Sequence, residues 1–435
     1  MQLKIKKSLH INGSTTPPGS KSQTIRGLFL ALLSKGESTL ENALESDDSN
    51  DAIKVCQNLG AIFSPTENGL ILKSQGLPIQ SHCSEIYTGN SGITTRFVMP
   101  LLGLRKNNHE PIILNCGEQM RTRPIHALVA ALRQLGMQIE YLNNENVLPV
   151  KISGDLQGGS VTVDGTTSQY LSALLLALPC VSHDSEVIVY HLHERPYMEM
   201  TLHWLQQQNI QYIHQKKENY DLFKIYGKKH YQAFNTMIAS DFSSASYMIA
   251  AAVLTEGTVI LNDLNINDAQ GDKRLIPILQ EMGADIEVQS SKVIIKGGKP
   301  LNGIKIDAND IPDLLPTLAV IGTKAYGKTE IYNVKQARIK ETDRIHSMTE
   351  GLTLLGAKID EYPDGLIIYP SSLSGTKVNG YNDHRTIMAL SIAGLIANGE
   401  TIIEDSEAIR KTFPTFLKVM QSLGANMREE NEYSG

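Results

Sequence analysis

Basic and hydroxyl side chains stand together at the starts of several helix-like stretches, where they could bind a small anion. Lys21 and Ser22 follow a Pro-Gly turn, and Arg26 comes one helical turn after Ser22. Two cations and a hydroxyl on one helix face can hold a phosphate or carboxylate group. A Walker-type phosphate loop is excluded, because Thr15 stands where its first glycine is required. The segment is therefore interpreted as another kind of anion site or as a solvated helix start.

Two further loops have the composition of anion sites at helix starts. Residues 87–96 contain two glycines and run into a helix, and residues 166–169 offer three hydroxyls and an amide before an apolar helix. Backbone N–H groups at a helix N-terminus bind anions, and glycine lets a ligand approach the backbone closely. The second loop is equally well explained as a helix cap.

Charged residues are dense before a helix in the last third of the chain. Lys340 and Arg344 are four residues apart, a spacing that would place them on one helix face with Glu341 between them. Residues 382–385 and 410–414 add further cations. These side chains either bind an anionic substrate or, in the first segment, form a solvated helix start.

Metal and cysteine chemistry are poorly supported. His191 and His193 could present two ligands from one strand, but the sequence marks no third ligand and no HExxH motif. Cys116 lies in a loop near Arg123, without a histidine or aspartate partner marked by the sequence. The 4 cysteines match no zinc or redox spacing and are expected to be free thiols in a reducing cytoplasm.

A repeated pattern supplies the elements that must position these residues. Helix-like stretches end in Leu-Gly or a close variant before a strand-like run, with turn residues at positions 60, 136, 283, 356 and 424 and a weak copy at Asn209. Glycine or asparagine suits the residue after a helix, because that position needs a positive φ. Six such units exceed one hydrophobic core, so two domains of three units each are predicted.

Length and charge narrow the class of protein. The chain has 435 residues, and 40 Lys and Arg against 46 Asp and Glu give a net charge of −6. That balance argues against a nucleic-acid-binding surface. The longest apolar stretches fall short of the ~20 residues that span a bilayer, and the N-terminus lacks the apolar core of a signal peptide. We expect a globular cytoplasmic protein without a nucleic-acid or membrane partner.

In combination, these motifs resemble those of the enolpyruvyl transferases. The match runs in order through segments 18–22, 89–92, 123–124, 168–169, 196–197, 241–247, 311–313, 340–344, 382–385 and 411–414. The resemblance implies an α/β (α+β) fold, a two-domain inside-out α/β barrel in which each domain has three βαβαββ units. Residues 1–20 with 236–435 would form the domain that contains both termini, and residues 21–235 the inserted domain. The active site is expected in the cleft between them.

The resemblance also implies a reaction, which joins the 5-hydroxyl of shikimate 3-phosphate to C2 of phosphoenolpyruvate and expels phosphate. Two such anionic substrates require many cations in a water-poor site. The positions that match phosphoenolpyruvate binding are Lys21, Gly92, Arg123, Arg344, Arg385 and Lys411. The positions that match shikimate 3-phosphate binding are Lys21, Ser22, Arg26, Thr167, Ser168, Gln169, Tyr197, Asp313, Gln336 and Lys340.

Two carboxylates match the positions that transfer protons. Asp313 matches the group that takes the hydroxyl proton, and Glu341 the group implicated at the methylene carbon; with Lys21 they form the expected catalytic set. Addition followed by elimination requires two such separate proton tasks. The resemblance implies no metal ion and no organic cofactor. We expect a monomer whose partners are its small-molecule substrates.

Glu194 departs from the family pattern, which usually has a serine that contacts the substrate phosphate at this position. A carboxylate beside a phosphate would weaken binding through like-charge repulsion. The side chain of Glu194 is therefore expected to turn away from the 3-phosphate, or to be screened by the neighbouring Arg195.

Three other functions remain open from the sequence. A sister enzyme transfers the same group to UDP-N-acetylglucosamine and has a loop cysteine before an Arg-Pro pair, a feature echoed by Cys116 before Arg123. RNA 3′-phosphate cyclase shares the repeated unit, although neither its basic surface nor its histidine motif is evident. A binding protein without activity is the third, and the retained Lys21, Asp313 and Glu341 argue against it.

Overall fold

The chain folds as two compact units. The computed structural model describes residues 1–81 and 83–431, so the last four residues of the expected domain 236–435 lie outside the described residues. One unit, here called the terminal unit, comprises Met1–Pro18 and the chain from Ala239 onward. The other, the inserted unit, is Gly19–Ile238. The chain thus passes between the units twice.

Short strands and helices alternate through both units. The strands are β1 (Gln2–Lys6), β2 (Gly13–Thr15), β3 (Lys35–Glu41), β4 (Ile62–Thr66), β5 (Gly69–Gln75), β6 (Glu85–Tyr87), β7 (Ile112–Asn115), β8 (Gln138–Tyr141), β9 (Val150–Ser153), β10 (Ser160–Asp164), β11 (Ser185–Tyr190), β12 (Tyr212–Lys216), β13 (Tyr220–Ile225), β14 (Asn235–Met237), β15 (Thr258–Asn262), β16 (Asp285–Val288), β17 (Lys292–Lys296), β18 (Lys305–Asp307), β19 (Thr329–Tyr332), β20 (Lys358–Tyr362), β21 (Gly365–Tyr369), β22 (Lys377–Val378), β23 (Glu400–Ile403) and β24 (Asn426–Glu430).

The α-helices are α1 (Lys21–Leu33), α2 (Asp47–Asn58), α3 (Gly92–Leu101), α4 (Glu118–Arg121), α5 (His126–Gln134), α6 (Ser168–Ala177), α7 (Arg195–Gln207), α8 (Phe242–Leu254), α9 (Leu275–Met282), α10 (Leu315–Gly322), α11 (Arg344–Leu354), α12 (His384–Ile396) and α13 (Phe416–Ser422). Short 3₁₀ helices cover Leu102–Leu104, Leu178–Cys180, Gly271–Arg274, Pro312–Leu314, Lys335–Ile339 and Ser406–Lys411. None of the helices among the described residues is both long and apolar enough to cross a bilayer.

The strands form six four-stranded sheets, three in each unit, with one shared order. The sheets are β14-β3-β5-β4, β6-β7-β9-β8 and β10-β11-β13-β12 in the inserted unit, and β2-β15-β17-β16, β18-β19-β21-β20 and β22-β23-β1-β24 in the terminal unit. In each sheet the first pair is parallel and the other two pairs are antiparallel. Six repeats of a βαβαββ unit are thereby confirmed.

The predicted turns between the repeats are also confirmed. All six turn residues have a positive φ, a backbone conformation that glycine and asparagine adopt more readily than most other residues. The φ angles are 91° at Gly60, 94° at Gly136, 55° at Asn209, 105° at Gly283, 96° at Gly356 and 100° at Gly424.

Each unit has its own apolar core, built around helices that are buried on nearly all sides. In the terminal unit α8, α10 and α12 pack against one another, and every residue of α12 is buried. A helix that is apolar all round is stable only in such a position. The polar residues at the N-terminal ends of these helices are therefore held by a rigid core.

Candidate active site

Arg344 is the centre of a charged cluster in the terminal unit. The guanidinium binds three carboxylates: Nη1 lies 2.7 Å from Asp313 Oδ1, Nη2 2.6 Å from Glu341 Oε2, and Nε 2.7 Å from Asp383 Oδ2. Arg344 is 1% exposed. Burial alone would lower its pKa, but the three carboxylates outweigh burial and raise the pKa above its ordinary value.

Two further cations bind the same carboxylates. Arg385 Nη2 lies 2.7 Å from Asp313 Oδ2, and Lys411 Nζ lies 3.6 Å from Glu341 Oε1. Each oxygen of Asp313 therefore accepts a charge-assisted hydrogen bond from a different guanidinium, which fixes the orientation of the carboxylate. We call the six side chains Asp313, Glu341, Arg344, Asp383, Arg385 and Lys411 the carboxylate cluster.

Helix starts position most of this cluster. Asp383 caps α12 by accepting the N–H of Arg385 at 2.9 Å, and Asp343 caps α11 by accepting the N–H of His346 at 3.0 Å. Because Asp343 is the cap, α11 begins only at Arg344. The predicted shared helix face of Lys340 and Arg344 is therefore wrong, since Lys340 precedes the helix.

Gln336 lies in the 3₁₀ helix Lys335–Ile339, immediately before this segment. Its amide Nε2 donates to the backbone carbonyl of Asn309 at 2.7 Å. The side-chain amide is almost completely buried, and it links the segment that contains Lys340 to the loop that precedes Asp313.

The sequence did not mark Asp272, which lies close to the cluster. Asp272 is 2% exposed and accepts a hydrogen bond from the Ser243 hydroxyl at the start of α8. Burial, with a smaller contribution from the charge of Asp313, raises its pKa to about 7. In the sequence, Asp272 is followed by a lysine and an arginine and looks like part of an ordinary charged surface segment. Its burial arises from packing between segments that are distant in the chain, which no local pattern reveals.

In the inserted unit, Lys21 and Asp48 form an ion pair. Lys21 is the first residue of α1, and its Nζ lies 3.1 Å from Oδ2 of the buried Asp48 in the first turn of α2. The ammonium group is thus held at the N-terminal ends of two helices, a region that also favours anions.

Arg26 lies deeper, 1% exposed, and ties α1 to α7. Nη1 donates to the carbonyl of Ser22 at 2.9 Å, Nη2 to the carbonyl of Tyr197 at 2.7 Å, and Nε to the Thr201 hydroxyl at 2.9 Å. The guanidinium also lies 5.4 Å from the ring centroid of Phe97. Burial lowers its pKa to about 9, because none of these partners carries a full negative charge.

Gly92 opens α3 between two guanidiniums. A Cβ at this position would lie 2.6 Å from Arg123 Nη1 and 2.8 Å from Arg96 Nη1. Any other residue would therefore push both cations away from the helix start. Arg96, which the sequence analysis did not assign, donates to Gln169 Oε1 at 2.6 Å. Burial, reinforced by the charge of Arg123, lowers the pKa of Arg96 to about 10.

Thr167 and Ser168 form the start of α6, and Glu194 lies on them. Thr167 caps the helix by accepting the N–H of Gln169 at 3.4 Å, so the capping interpretation is confirmed. Glu194 Oε2 accepts hydrogen bonds from Ser168 Oγ at 3.0 Å, Ser168 N–H at 3.3 Å and Thr167 Oγ1 at 3.5 Å. Glu194 therefore contacts residues matched to the 3-phosphate, and Arg195, the expected screen, forms an ion pair with Asp221; the orientation of Glu194 toward a bound 3-phosphate stays a prediction. We call the three groups that donate to Glu194, the Ser168 N–H and the hydroxyls of Ser168 and Thr167, the α6 cradle.

The cysteine and histidine residues do not form a thiol or metal site among the described residues. The four cysteines are free, and burial raises the pKa of Cys116 to about 11, which disfavours the nucleophilic thiolate. His191 lies on the surface near Asp164, with Nδ1 3.4 Å from Oδ2. Across residues 1–81 and 83–431, no group of three or more His, Cys, Asp or Glu side chains is arranged to hold a metal ion.

The known proteins that are similar to this chain over nearly its whole length share one enzyme name. The sequence profile described as EPSP synthase (3-phosphoshikimate 1-carboxyvinyltransferase) matches residues 5–420. A 3-phosphoshikimate 1-carboxyvinyltransferase from Acetivibrio thermocellus is 42% identical over 98% of this chain and 99% of its own, and one from Ruminiclostridium cellulolyticum is 40% identical over the same shares. An EPSP synthase structure from Acinetobacter baumannii superimposes with a TM-score of 0.82 over 99% of this chain and 100% of that chain, at 24% identity.

Proposed function

Since the chain belongs to the EPSP synthase family, we propose that it transfers the enolpyruvyl group of phosphoenolpyruvate to the 5-hydroxyl of shikimate 3-phosphate. Phosphate is the second product. The observation that carries this proposal is the pair of guanidiniums, from Arg344 and Arg385, that hold the two oxygens of Asp313 at 2.7 Å each. A carboxylate fixed in this way is suited to accept a proton from a substrate hydroxyl.

The reaction proceeds by addition and then elimination. In the addition step, the 5-hydroxyl oxygen bonds to C2 of phosphoenolpyruvate, Asp313 takes the hydroxyl proton, and C3 gains a proton from Glu341. In the elimination step, C3 returns its proton to Glu341, the C2–C3 double bond reforms, the C2–O bond to phosphate breaks, and the proton that Asp313 took passes to the departing phosphate. Arg344 and Lys411 hold the two oxygens of Glu341 and fix its orientation. These cations favour the carboxylate, which is the form that takes the proton back from C3.

Both units contribute to the one reaction in this proposal. Arg344, Arg385 and Lys411 of the terminal unit would bind phosphoenolpyruvate with Lys21, Gly92 and Arg123 of the inserted unit. Gly92 lets the guanidiniums of Arg123 and Arg96 lie against the start of α3, where they would bind an anionic group. Arginine suits the carboxylate and phosphate of this substrate because it binds both in a bidentate manner.

Shikimate 3-phosphate would be bound mainly by the inserted unit. The residues proposed there are Ser22, Arg26, Thr167, Ser168, Gln169 and Tyr197, with Lys21 shared. Asp313, Gln336 and Lys340 would complete the site from the terminal unit. The α6 cradle supports this assignment, because its N–H and two hydroxyls already bind one anionic group, the carboxylate of Glu194.

We also propose that the protein acts as a monomer in the cytoplasm, which its four free thiols support. A molecular mass near 47.9 kDa by light scattering would agree with this, and twice that mass would contradict it.

The decisive experiment measures phosphate release from phosphoenolpyruvate with each of two acceptors, shikimate 3-phosphate and UDP-N-acetylglucosamine. Release is expected only with shikimate 3-phosphate, and a chelator should leave the rate unchanged. Asp313→Asn, which keeps the shape of the side chain, should lower kcat by about 10²–10⁴-fold, the usual range for a lost general base. Release with UDP-N-acetylglucosamine alone, or full activity of Asp313→Asn, would contradict the proposal.

A further inference from the structure

We propose that Glu194 is an internal competitor for the phosphate group of the acceptor and thereby sets the affinity of the enzyme for shikimate 3-phosphate. The inference rests on the proposed function, because it concerns the substrate of that same site. Its basis is the position of the Glu194 carboxylate, which accepts hydrogen bonds from all three donors of the α6 cradle.

The donors are those that a phosphate oxygen would use. A backbone N–H at a helix N-terminus and two hydroxyls form a compact group of donors for one negatively charged oxygen. Glu194 Oε2 lies 3.0 Å from Ser168 Oγ and 3.3 Å from the Ser168 nitrogen. A phosphate oxygen at the same place would overlap the carboxylate oxygen, so both cannot occupy the cradle together.

The start of α7 directs Glu194 toward the cradle. Its backbone adopts φ 56° and ψ 40°, and its carbonyl accepts the N–H of Tyr197 at 3.0 Å. The next residue, Arg195, forms two hydrogen bonds with Asp221, at 3.0 and 2.6 Å, which anchor the helix start. Because the backbone is held on both sides, the carboxylate can leave the cradle only by rotation of its own side chain.

Displacement of this carboxylate has a free-energy cost. Glu194 is 2% exposed and its hydrogen bonds are charge-assisted, so phosphate binding must break them before it forms its own. The observed affinity for a phosphorylated acceptor is therefore reduced by that cost. An acceptor without the phosphate does not need the cradle and is not affected.

Calorimetric titration of the full chain with shikimate 3-phosphate and with shikimate tests this inference. Glu194→Ser removes the competing carboxylate, and we expect the Kd for shikimate 3-phosphate to fall at least tenfold while the Kd for shikimate stays within twofold. Glu194→Gln keeps the length of the side chain without its charge, and a smaller decrease of about threefold is expected. Glu199→Gln, an exposed position on the same helix, is the matched control and should change neither Kd.

Steady-state kinetics supply a readout that a purely structural role would not move. Glu194→Ser should lower the KM for shikimate 3-phosphate and leave the KM for phosphoenolpyruvate within twofold. An unchanged or higher Kd for shikimate 3-phosphate in both Glu194 variants would overturn the inference. If Glu194→Ser does not fold, Glu194→Gln alone decides between these results. A wild-type chain that neither binds shikimate 3-phosphate nor releases phosphate would remove the proposed function as well, whereas an active wild type with unchanged variants removes only the role of Glu194.

Discussion

Arg344 in the terminal unit and Arg26 in the inserted unit are equally buried, yet they are stabilised in opposite ways. Arg344 contacts three carboxylates, and these raise its pKa. Arg26 contacts backbone carbonyls, a hydroxyl and an aromatic ring, and burial lowers its pKa to about 9. Burial of a cation is therefore tolerated either by opposite charge or by a set of neutral acceptors.

The same contrast extends to the surroundings of each arginine. The carboxylate cluster has three cations and three carboxylates, so its formal charges balance. Of the inserted-unit residues described above, the cations Lys21, Arg26, Arg96 and Arg123 belong to or adjoin helix starts that also hold the carboxylates of Asp48 and Glu194, whereas Asp221 is paired with Arg195. We infer that the terminal unit orients its proton-transfer groups with balanced charge, while helix starts of the inserted unit bring together cations whose charge the anionic substrates neutralise.

Replacement of each arginine by methionine tests whether the two buried cations are stabilised in these different ways. Arg344→Met leaves three neighbouring carboxylates without their shared cation, and the free energy of unfolding should fall by about 3–5 kcal/mol. Arg26→Met removes hydrogen bonds but strands no charge, and a loss of about 1–2 kcal/mol is expected. Chemical denaturation at pH 7.5 measures both values.

The pH dependence of the destabilisation by Arg344→Met tests whether the stranded carboxylates cause it. Protonation of the stranded carboxylates should relieve their repulsion, so the cost of Arg344→Met should shrink as the pH is lowered toward about 4, near the ordinary carboxyl pKa. An Arg26→Met variant that is destabilised as much as Arg344→Met at pH 7.5 would show that the charge balance is not what distinguishes the two sites.

Asp272 is expected to change the free energy of unfolding by less than Arg344 does, and the size of this change depends on pH. Its pKa is raised from 3.8 to about 7 in the folded protein, first by burial and then by Asp313. Between these values the folded state binds more protons than the unfolded state, so this group lowers the stability progressively as the pH rises, and its cost is complete above about pH 7.

Asp272→Asn removes that titration and keeps an acceptor for the Ser243 hydroxyl. The variant should therefore gain stability relative to the wild type from pH 5 to pH 8, by about 1–3 kcal/mol, with little difference near pH 4. Urea denaturation across this range measures the effect, and Asp364→Asn, at an exposed position of the same unit, is the control. A difference between variant and wild type that does not change with pH would exclude Asp272 as the titrating group.

The repeats and helix starts were predictable because their signals are local. The turn residues Gly60 and Asn209 have the positive φ that their types favour, and Thr167 caps α6 as its position before an apolar run suggests. The resemblance to the enolpyruvyl transferases selected Asp313, Glu341 and Arg344, and the structure brings the two carboxylates together on the guanidinium of Arg344.

Features that depend on long-range packing were not predictable in this way. Asp272 and Arg96 became prominent only through burial, which joins segments far apart in the chain. Glu194 contacts the α6 cradle because the start of α7 points it there and the cradle donors hold it. Lys340 was assigned to a helix face that does not exist, because the Asp343 cap starts α11 four residues later than Lys340.

A comparison of two variants, one at a residue assigned to each substrate, tests most directly whether the proposed binding residues are assigned to the right substrate. Arg385→Ala removes a guanidinium from the terminal unit, and Tyr197→Phe removes only a hydroxyl from the inserted unit. The KM for each substrate is measured with the other substrate saturating. Arg385→Ala should raise the KM for phosphoenolpyruvate by about tenfold or more and change that for shikimate 3-phosphate by less than threefold, whereas Tyr197→Phe should raise mainly the KM for shikimate 3-phosphate, by about fivefold. Equal increases in both KM values for both variants would contradict this assignment of residues to the two substrates.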